Sequence, residues 1–312
     1  MRVSLLLLVL WLLICSPVAA FDPGFSEIVY RVNGLDVPYS VFSYRVLPGD
    51  SLRIELRTSE KDYNLRATDG IVRSQTYPNF IWIAPQTPGL VELRIVGEND
   101  STVAMLNTWV MVPLDRKQGE KLNGYRIGNY PSVPLKGLSI YEKPKGLIEV
   151  TDSNRNTPVS PHFTLGQFLC KQESGYPKYI IVQEKLLLKL ELILQKLNEK
   201  GYAYDSITIM SGYRTPYYNH AIGNVKYSRH VWGGAADIFL DESPRDDMMD
   251  DLNRDGVHDW RDAAVLYNLV DNLYGQPFYQ HLVGGLGRYK KTSNHGPFVH
   301  VDVRGFRARW GT

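Results

Sequence analysis

The chain has 312 residues, and 35 Lys and Arg stand against 33 Asp and Glu for a formal net charge of +2. That balance gives no electrostatic footprint for nucleic acid, whose binding needs a basic face. Hydrophobic residues at 44% exclude a disordered chain, and the length allows two domains.

Residues 1–20 read as a secretory signal peptide. Arg2 opens it, Ser4 to Cys15 is almost wholly apolar, and Ser16-Pro17-Val18-Ala19-Ala20 supplies small residues for cleavage before Phe21. The apolar stretch of about twelve residues is too short for a membrane span, and Ile14 and Pro17 do not make Cys15 a lipidation site. The expected product is exported, periplasmic or secreted, with no transmembrane anchor after cleavage. Cys170 is then its one cysteine, so an intrachain disulfide is impossible. Its setting in QFLC points to a buried, inert thiol.

Residues 21–113 alternate or run apolar over strand lengths in EIVYRV, YSVFSYRV, SLRIELR, NFIWIA, LVELRIV and TVAMLNTWVMV, separated by PGD, TDG, TPG and GEND. Six to eight short strands at this spacing suggest an all-β, immunoglobulin-like sandwich. It contains no histidine and no catalytic constellation, which points to a binding or spacer role. Residues 114–159 mix Pro, Gly, Lys and Tyr without helical period. They read as a connector, one too aromatic to be a flexible linker.

The C-terminal domain, 160–312, is expected to be α+β. A helix is predicted over Tyr179–Lys200, where Leu186, Leu190, Ile193 and Leu197 form a core stripe and Gly201 fits the C-terminal cap. Strands are predicted at 206–210, 235–240 and 298–303. Asp237 lies in the apolar string AADIFL, and His300 lies among Phe298, Val299 and Val301. A carboxylate is rarely buried unless it is paired or on a metal. With His230, seven residues before Asp237, they make a two-imidazole, one-carboxylate zinc set that leaves a position open for water. Period-two alternation places Asp302 on the same face as His300, where it can orient an imidazole from behind.

The string SRHVWGGAADI matches Ser-x-His-x-x-Gly-x-Ala-x-Asp and, with SGYRTPYYN upstream and FVHVDVRG downstream, resembles the zinc D-Ala-D-Ala carboxypeptidases. These VanY-like enzymes of peptidase family M15 share the hedgehog-type fold. The resemblance covers roughly 158–312. It implies zinc on His230, Asp237 and His300, an active-site Arg214 that steadies a substrate carbonyl or carboxylate, and a substrate contact at Ser228. Arg214 otherwise reads as a surface loop residue. Some relatives carry a glutamate base three residues before the last zinc ligand, where this chain has Pro297; others use a histidine five residues before it, which here is His295. His295 is therefore the candidate base, its alternative being a loop histidine without a role. His162, His220, His258 and His281 match no ligand position.

Residues 251–262 read DLNRDGVHDWRD. Asp251, Asn253, Asp255, Asp259 and Asp262, the Val257 carbonyl and Gly256 at the turn follow the EF-hand calcium spacing, with Asp in the last position. This resembles the dockerin variant. Trp260, Ala264, Tyr267 and Val270 are the expected apolar stripe of the helix that leaves the loop. The expected function is an exported zinc metallopeptidase acting on peptidoglycan stem peptides, foremost as a D-Ala-D-Ala carboxypeptidase, with structural calcium at the loop. The alternatives are a cross-link endopeptidase of the same fold and a non-catalytic, metal-stabilised wall-binding protein.

Overall fold

The computed structural model describes residues 21–57, 63–97, 101–242 and 244–311; the expected signal peptide lies outside them. The N-terminal region is β-rich. Nine strands run in order: β1 (Phe25–Val32), β2 (Leu35–Tyr39), β3 (Val41–Val46), β4 (Ser51–Leu56), β5 (Asn64–Ala67), β6 (Ile71–Thr76), β7 (Asn79–Ile83), β8 (Gly89–Val96) and β9 (Thr102–Val110). They form a five-stranded sheet, β2-β1-β4-β7-β6, and a four-stranded sheet, β3-β9-β8-β5. β4 shows the alternation that drives this, with Leu52, Ile54 and Leu56 buried and Ser51 and Arg53 exposed. β2 and β5, which are short, and β6, which is largely exposed, lie outside the predicted strings apart from Tyr39.

The segment 111–160 is structured. It holds β10 (Val112–Pro113), β11 (Lys121–Leu122), β12 (Tyr125–Arg126), β13 (Gly146–Val150) and β14 (Pro158–Ser160). It also lies against the C-terminal region: Tyr227 Oη donates to Val133 O at 2.9 Å, and Trp232 Nε1 donates to Glu142 O at 2.9 Å.

Next come β15 (Phe163–Thr164), β16 (Lys178–Ile180), α1 (Glu184–Glu199), β17 (Thr208–Ser211), α2 (Pro216–Ala221), β18 (Ala235–Phe239), α3 (Trp260–Asp271), β19 (Gly285–Tyr289), β20 (Phe298–Asp302) and β21 (Ala308–Trp310). The helix predicted from Tyr179 begins only at Glu184. Residues 178–180 pair instead with β13, Ile148 opposite Ile180, and the Tyr179 hydroxyl is held by Glu149 and Asn123. Tertiary pairing overrides helical period there. From Glu184 onward the expected stripe holds: Leu186, Leu190, Ile193 and Leu197 are all buried. Gly201 follows the helix with φ +81°, as a left-handed cap requires.

Of the stripe predicted for α3, Val270 is buried, while Trp260, Ala264 and Tyr267 are half-buried and the inward face is shifted. Ala263, Leu266, Leu269 and Val270 point inward, whereas Trp260 and Tyr267 are half-buried around the guanidinium of Arg288. One contiguous apolar core runs from Ile28 in β1 to Val303 beyond β20, so the two halves are not separate hydrophobic units. An ion pair between Arg45 and Glu184 at 3.4 Å and a bond from Asn107 Nδ2 to Pro158 O at 2.8 Å tie β-rich and C-terminal segments together.

Candidate metal centre

The C-terminal sheet has the order β17-β18-β20-β19-β21, and its register explains the site. Ser211 lies opposite Asp237, Asp237 opposite His300, His300 opposite Gly287, and Gly287 opposite Trp310. These five residues form one rung across five strands. Residues facing one another across antiparallel strands have Cβ atoms about 4.5–5.5 Å apart, so pairing alone brings Asp237 and His300 together across 63 residues of sequence. Gly287 keeps the rung open: a Cβ there would lie 2.3 Å from the Trp310 indole nitrogen. The indole thereby reaches His300, with ring centroids 5.2 Å apart.

His230 arrives from outside the sheet, on the short helical turn Arg229–Trp232. Gly233 ends the turn at φ +63°, and a Cβ on it would sit 2.1 Å from Ile181 O, so only glycine fits. The ring then projects over β18. One ligand atom each from His230, Asp237 and His300 lies within 4.8 Å of the others. All three residues are buried.

The hydrogen bonds preset both imidazoles. His230 Nδ1 lies 2.7 Å from the Gly212 carbonyl, which only accepts, so Nδ1 carries the proton and Nε2 presents its lone pair. His300 Nε2 faces Asp302 Oδ2 at 3.3 Å, which leaves Nδ1 as the lone-pair atom. His230 Nε2, His300 Nδ1 and Asp237 Oδ1 therefore meet as three acceptors at 3.2, 3.2 and 2.8 Å. Three buried acceptors at this range repel unless a cation lies among them. Two neutral imidazoles and a carboxylate are an ordinary zinc donor set, and the arrangement fits that metal.

Without a metal, a proton on His300 Nδ1 takes the cation's place and bonds to Asp237. Burial acts to raise the Asp237 carboxyl, but the two imidazoles outweigh it and hold the group well below the usual range. For His230, burial wins and the pKa falls. For His300, burial is outweighed by its bonds to Asp237 and Asp302, and the pKa rises. Asp302 is fully buried. It accepts from the Gly285 amide at 2.7 Å and from Arg304 Nε and Nη2 at 3.0 and 2.5 Å. This is the support behind a metal-binding histidine that the alternation pattern anticipates.

Arg214 lines the cleft beside the three-residue cluster. Its Nη2 donates to Asp237 Oδ2 at 2.6 Å and its Nε to Ser211 Oγ at 2.9 Å, so one arm of its fork braces the carboxylate of Asp237. Ser228 and His295 both line the cleft. His295 Nδ1 donates to Gly296 O at 2.8 Å, which leaves Nε2 as an acceptor. Its ring stands edge-on to Phe298. The cleft consists of two adjoining cavities of about 880 and 620 Å3 that share Met210, Arg214, Ile222, Asn294 and His295.

The loop 251–262 behaves otherwise than expected. Among the described residues, its carboxylates are not gathered into a metal-binding group. Asp262 is fully buried; Oδ1 accepts from the Leu252 and Asn253 amides and Oδ2 from the Asp259 amide. Asp259 in turn caps α3 by accepting from Arg261 N. Asp251 accepts from the Asp255 and Gly256 amides, and Asn253 accepts from Asp255. Val257 donates its amide to Asp255. These oxygens serve the turn and the helix cap, and calcium finds no support in them.

Of the other histidines, His162 is structural, bridging Glu191 at 2.6 Å and Asp22 O at 3.0 Å. His258 bonds Met249 O, and His220 and His281 are exposed. Cys170 is buried, as expected.

The family model described as Peptidase M15 matches residues 161–261. This match, about a third of the chain, holds His230, Asp237, Arg214 and Ser228 and stops short of His295 and His300. It supports a metallopeptidase domain of the M15 kind in the C-terminal region, a family that depends on zinc and acts on peptidoglycan. No curated protein matches the chain. Among the described residues, no helix is long and apolar enough to cross a membrane.

Sequence reasoning missed Trp310, Arg304, Tyr141 and Gly212 at this site. Trp310 and Arg304 sit in RGFRARW, which has no period that assigns them a face. Tyr141 comes from the segment read as a connector, and Gly212 acts through its carbonyl, which no side-chain pattern reports.

Proposed function

We propose that the chain is an exported zinc peptidase that hydrolyses peptidoglycan stem peptides, with residues 160–312 as the catalytic domain and 21–113 as an immunoglobulin-like accessory domain. The observation that carries this reading is the meeting of three lone-pair atoms from His230, Asp237 and His300 at the wall of a large cleft. When bound there, zinc supplies Lewis acidity toward a peptide carbonyl and acidifies water. Arg214 and Asp302 hold Asp237 and His300 in their ligating orientations. His295, whose Nδ1 is held by the Gly296 carbonyl, is suited to take a proton at Nε2 within the cleft and return it to the leaving amine. Ser228 offers a hydroxyl at the cleft wall.

Two forms of this activity are open, a D-Ala-D-Ala carboxypeptidase and a cross-link endopeptidase. Digestion of purified muropeptides by the zinc-loaded chain, read by mass spectrometry, tests this. Cross-linked dimers resolved into monomers support the endopeptidase; free D-Ala with dimers intact supports the carboxypeptidase. No hydrolysis at all would leave a wall-binding protein. Calcium at 251–262 rests on residue spacing alone, and metal analysis of the purified chain decides it.

A further inference from the structure

The cleft wall is uneven in charge. Among the described residues that line its larger cavity, Asp237 is the one acid, whereas Arg214, Lys226, Arg229 and Arg304 are four cations. Arg214 is spent on Asp237, and Arg304 is half-spent on Asp302. Lys226 and Arg229 make no ion pair with any described residue.

Arg229 is the unusual one. It is 2% exposed, and its Nε and Nη2 are buried without a hydrogen-bond partner. Its Nη1 donates to Ile140 O at 2.5 Å, and its guanidinium lies 5.0 Å from the Tyr141 ring centre. Burying a charge without an opposite partner is costly. The carboxylate whose charge acts on it, Asp302, is already shared among Arg304, His300 and the Gly285 amide. Arg304 adds repulsion rather than relief. Its own Nε and Nη2 face inward to Asp302, and its guanidinium stacks over Trp310 at 5.1 Å. Lys226 stands exposed at the rim, 5.6 Å from the Tyr227 ring.

We propose that this end of the cleft, formed by Arg229, Arg304 and Lys226 beside Tyr141, is a subsite for a free carboxylate of the bound peptide, so that the substrate is an acidic peptide. The buried Arg229 supplies a fixed positive field behind the wall. Arg304 and Lys226 supply donors that a carboxylate can reach from the cleft. An anion here completes a charge balance that the folded chain leaves open, in a partly desolvated site where a charge-assisted bond is strong. The proposal rests on the peptide-binding reading above and names the chemistry that this site selects.

The test uses the full mature chain loaded with zinc and two synthetic probes. One is the pentapeptide L-Ala-γ-D-Glu-L-Lys-D-Ala-D-Ala, and the other is the same peptide with the D-Glu α-carboxylate and the C-terminal carboxylate both converted to carboxamides. Equilibrium binding is measured at low and high salt, alongside turnover. The free acid is expected to bind about tenfold more tightly, the scale of one hydrogen bond to a charged group. That preference should shrink in high salt and fall at least about threefold in Lys226→Gln, whose side chain is exposed and whose replacement leaves the core intact. Arg229→Gln, if folded, should abolish it. Equal binding of the two peptides by the wild-type chain overturns the subsite, and so does a preference unchanged in Lys226→Gln. If neither peptide is hydrolysed while the binding preference and its loss in Lys226→Gln persist, the peptidase reading fails and the subsite stands.

Discussion

Replacing Asp302 by Asn keeps the shape of the side chain and removes its charge. In the folded chain that carboxylate accepts from the Gly285 amide, from Arg304 and from His300 Nε2. Two separable losses follow. The first is metal affinity. An outer partner of a metal-binding histidine contributes about 10–100-fold to affinity, so the zinc Kd should rise by that factor, about 1.4–2.8 kcal/mol. The second is stability. Arg304 loses its counter-ion, and breaking a buried pair on one side costs about 3–5 kcal/mol. With the Arg304 side chain 19% exposed, the lower end applies. Zinc affinity by chelator competition and thermal unfolding of the metal-free chain read these losses independently. Arg304→Gln is the control: it should lose stability while Asp302 still accepts from His300, so its zinc affinity should fall less. If Asp302→Asn lowers Tm but leaves the zinc Kd within about twofold of wild type, against the expected effect of an outer partner, Asp302 only braces the sheet and the argument for its role fails.

His230→Ala should abolish stoichiometric zinc and all hydrolysis, whereas His295→Ala should retain zinc and lose about 10²–10⁴ in kcat, the range for a general base; retained turnover in His295→Ala removes it from the mechanism. Zinc affinity should weaken as pH falls through the raised pKa of His300, because protons compete for Nδ1; a binding curve flat from pH 8 to pH 5, roughly the range in which a histidine titrates, contradicts the ligand assignment. At His162, burial opposes the charge but Glu191 and the Asp22 carbonyl outweigh it, so its pKa is raised in the folded chain. Its stabilisation is therefore complete below the unfolded value of about 6.5 and is lost as pH rises through the folded value. Wild type should lose Tm relative to His162→Gln across that window, and parallel curves would remove the linkage. Gly287→Ala should displace Trp310 from His300, since its new Cβ meets the indole; unchanged tryptophan fluorescence on zinc binding would count against that contact.

Much of the metal centre was legible in sequence because ligand chemistry is local. A histidine in FVHVDV and an aspartate in AADIFL are conspicuous, since apolar strands bury what they carry and buried ionisable groups need partners. Asp302 was legible for a similar reason: strand alternation repeats every two residues, so its face follows from that of His300. The N-terminal strands were legible where alternation was strong, as in β4, and were missed where it was weak, as in β6, whose pattern is largely exposed.

Other features came only from tertiary structure. Residues 178–180 have helical composition on their C-terminal side but are claimed by β13, a partner roughly thirty residues away. The acidic loop has a spacing that suits a metal, yet its carboxylates are used by nearby amides and a helix cap, because a spacing does not say which way oxygens turn. Arg214 was placed at the site by its motif, but its grip on Asp237 depends on the register of β17 against β18. The sequence by itself determined which atoms can bind a metal and that they would be buried. Only the tertiary structure decided that Ser211, Asp237, His300, Gly287 and Trp310 share one rung, because strand register is set by long-range pairing and not by any single segment.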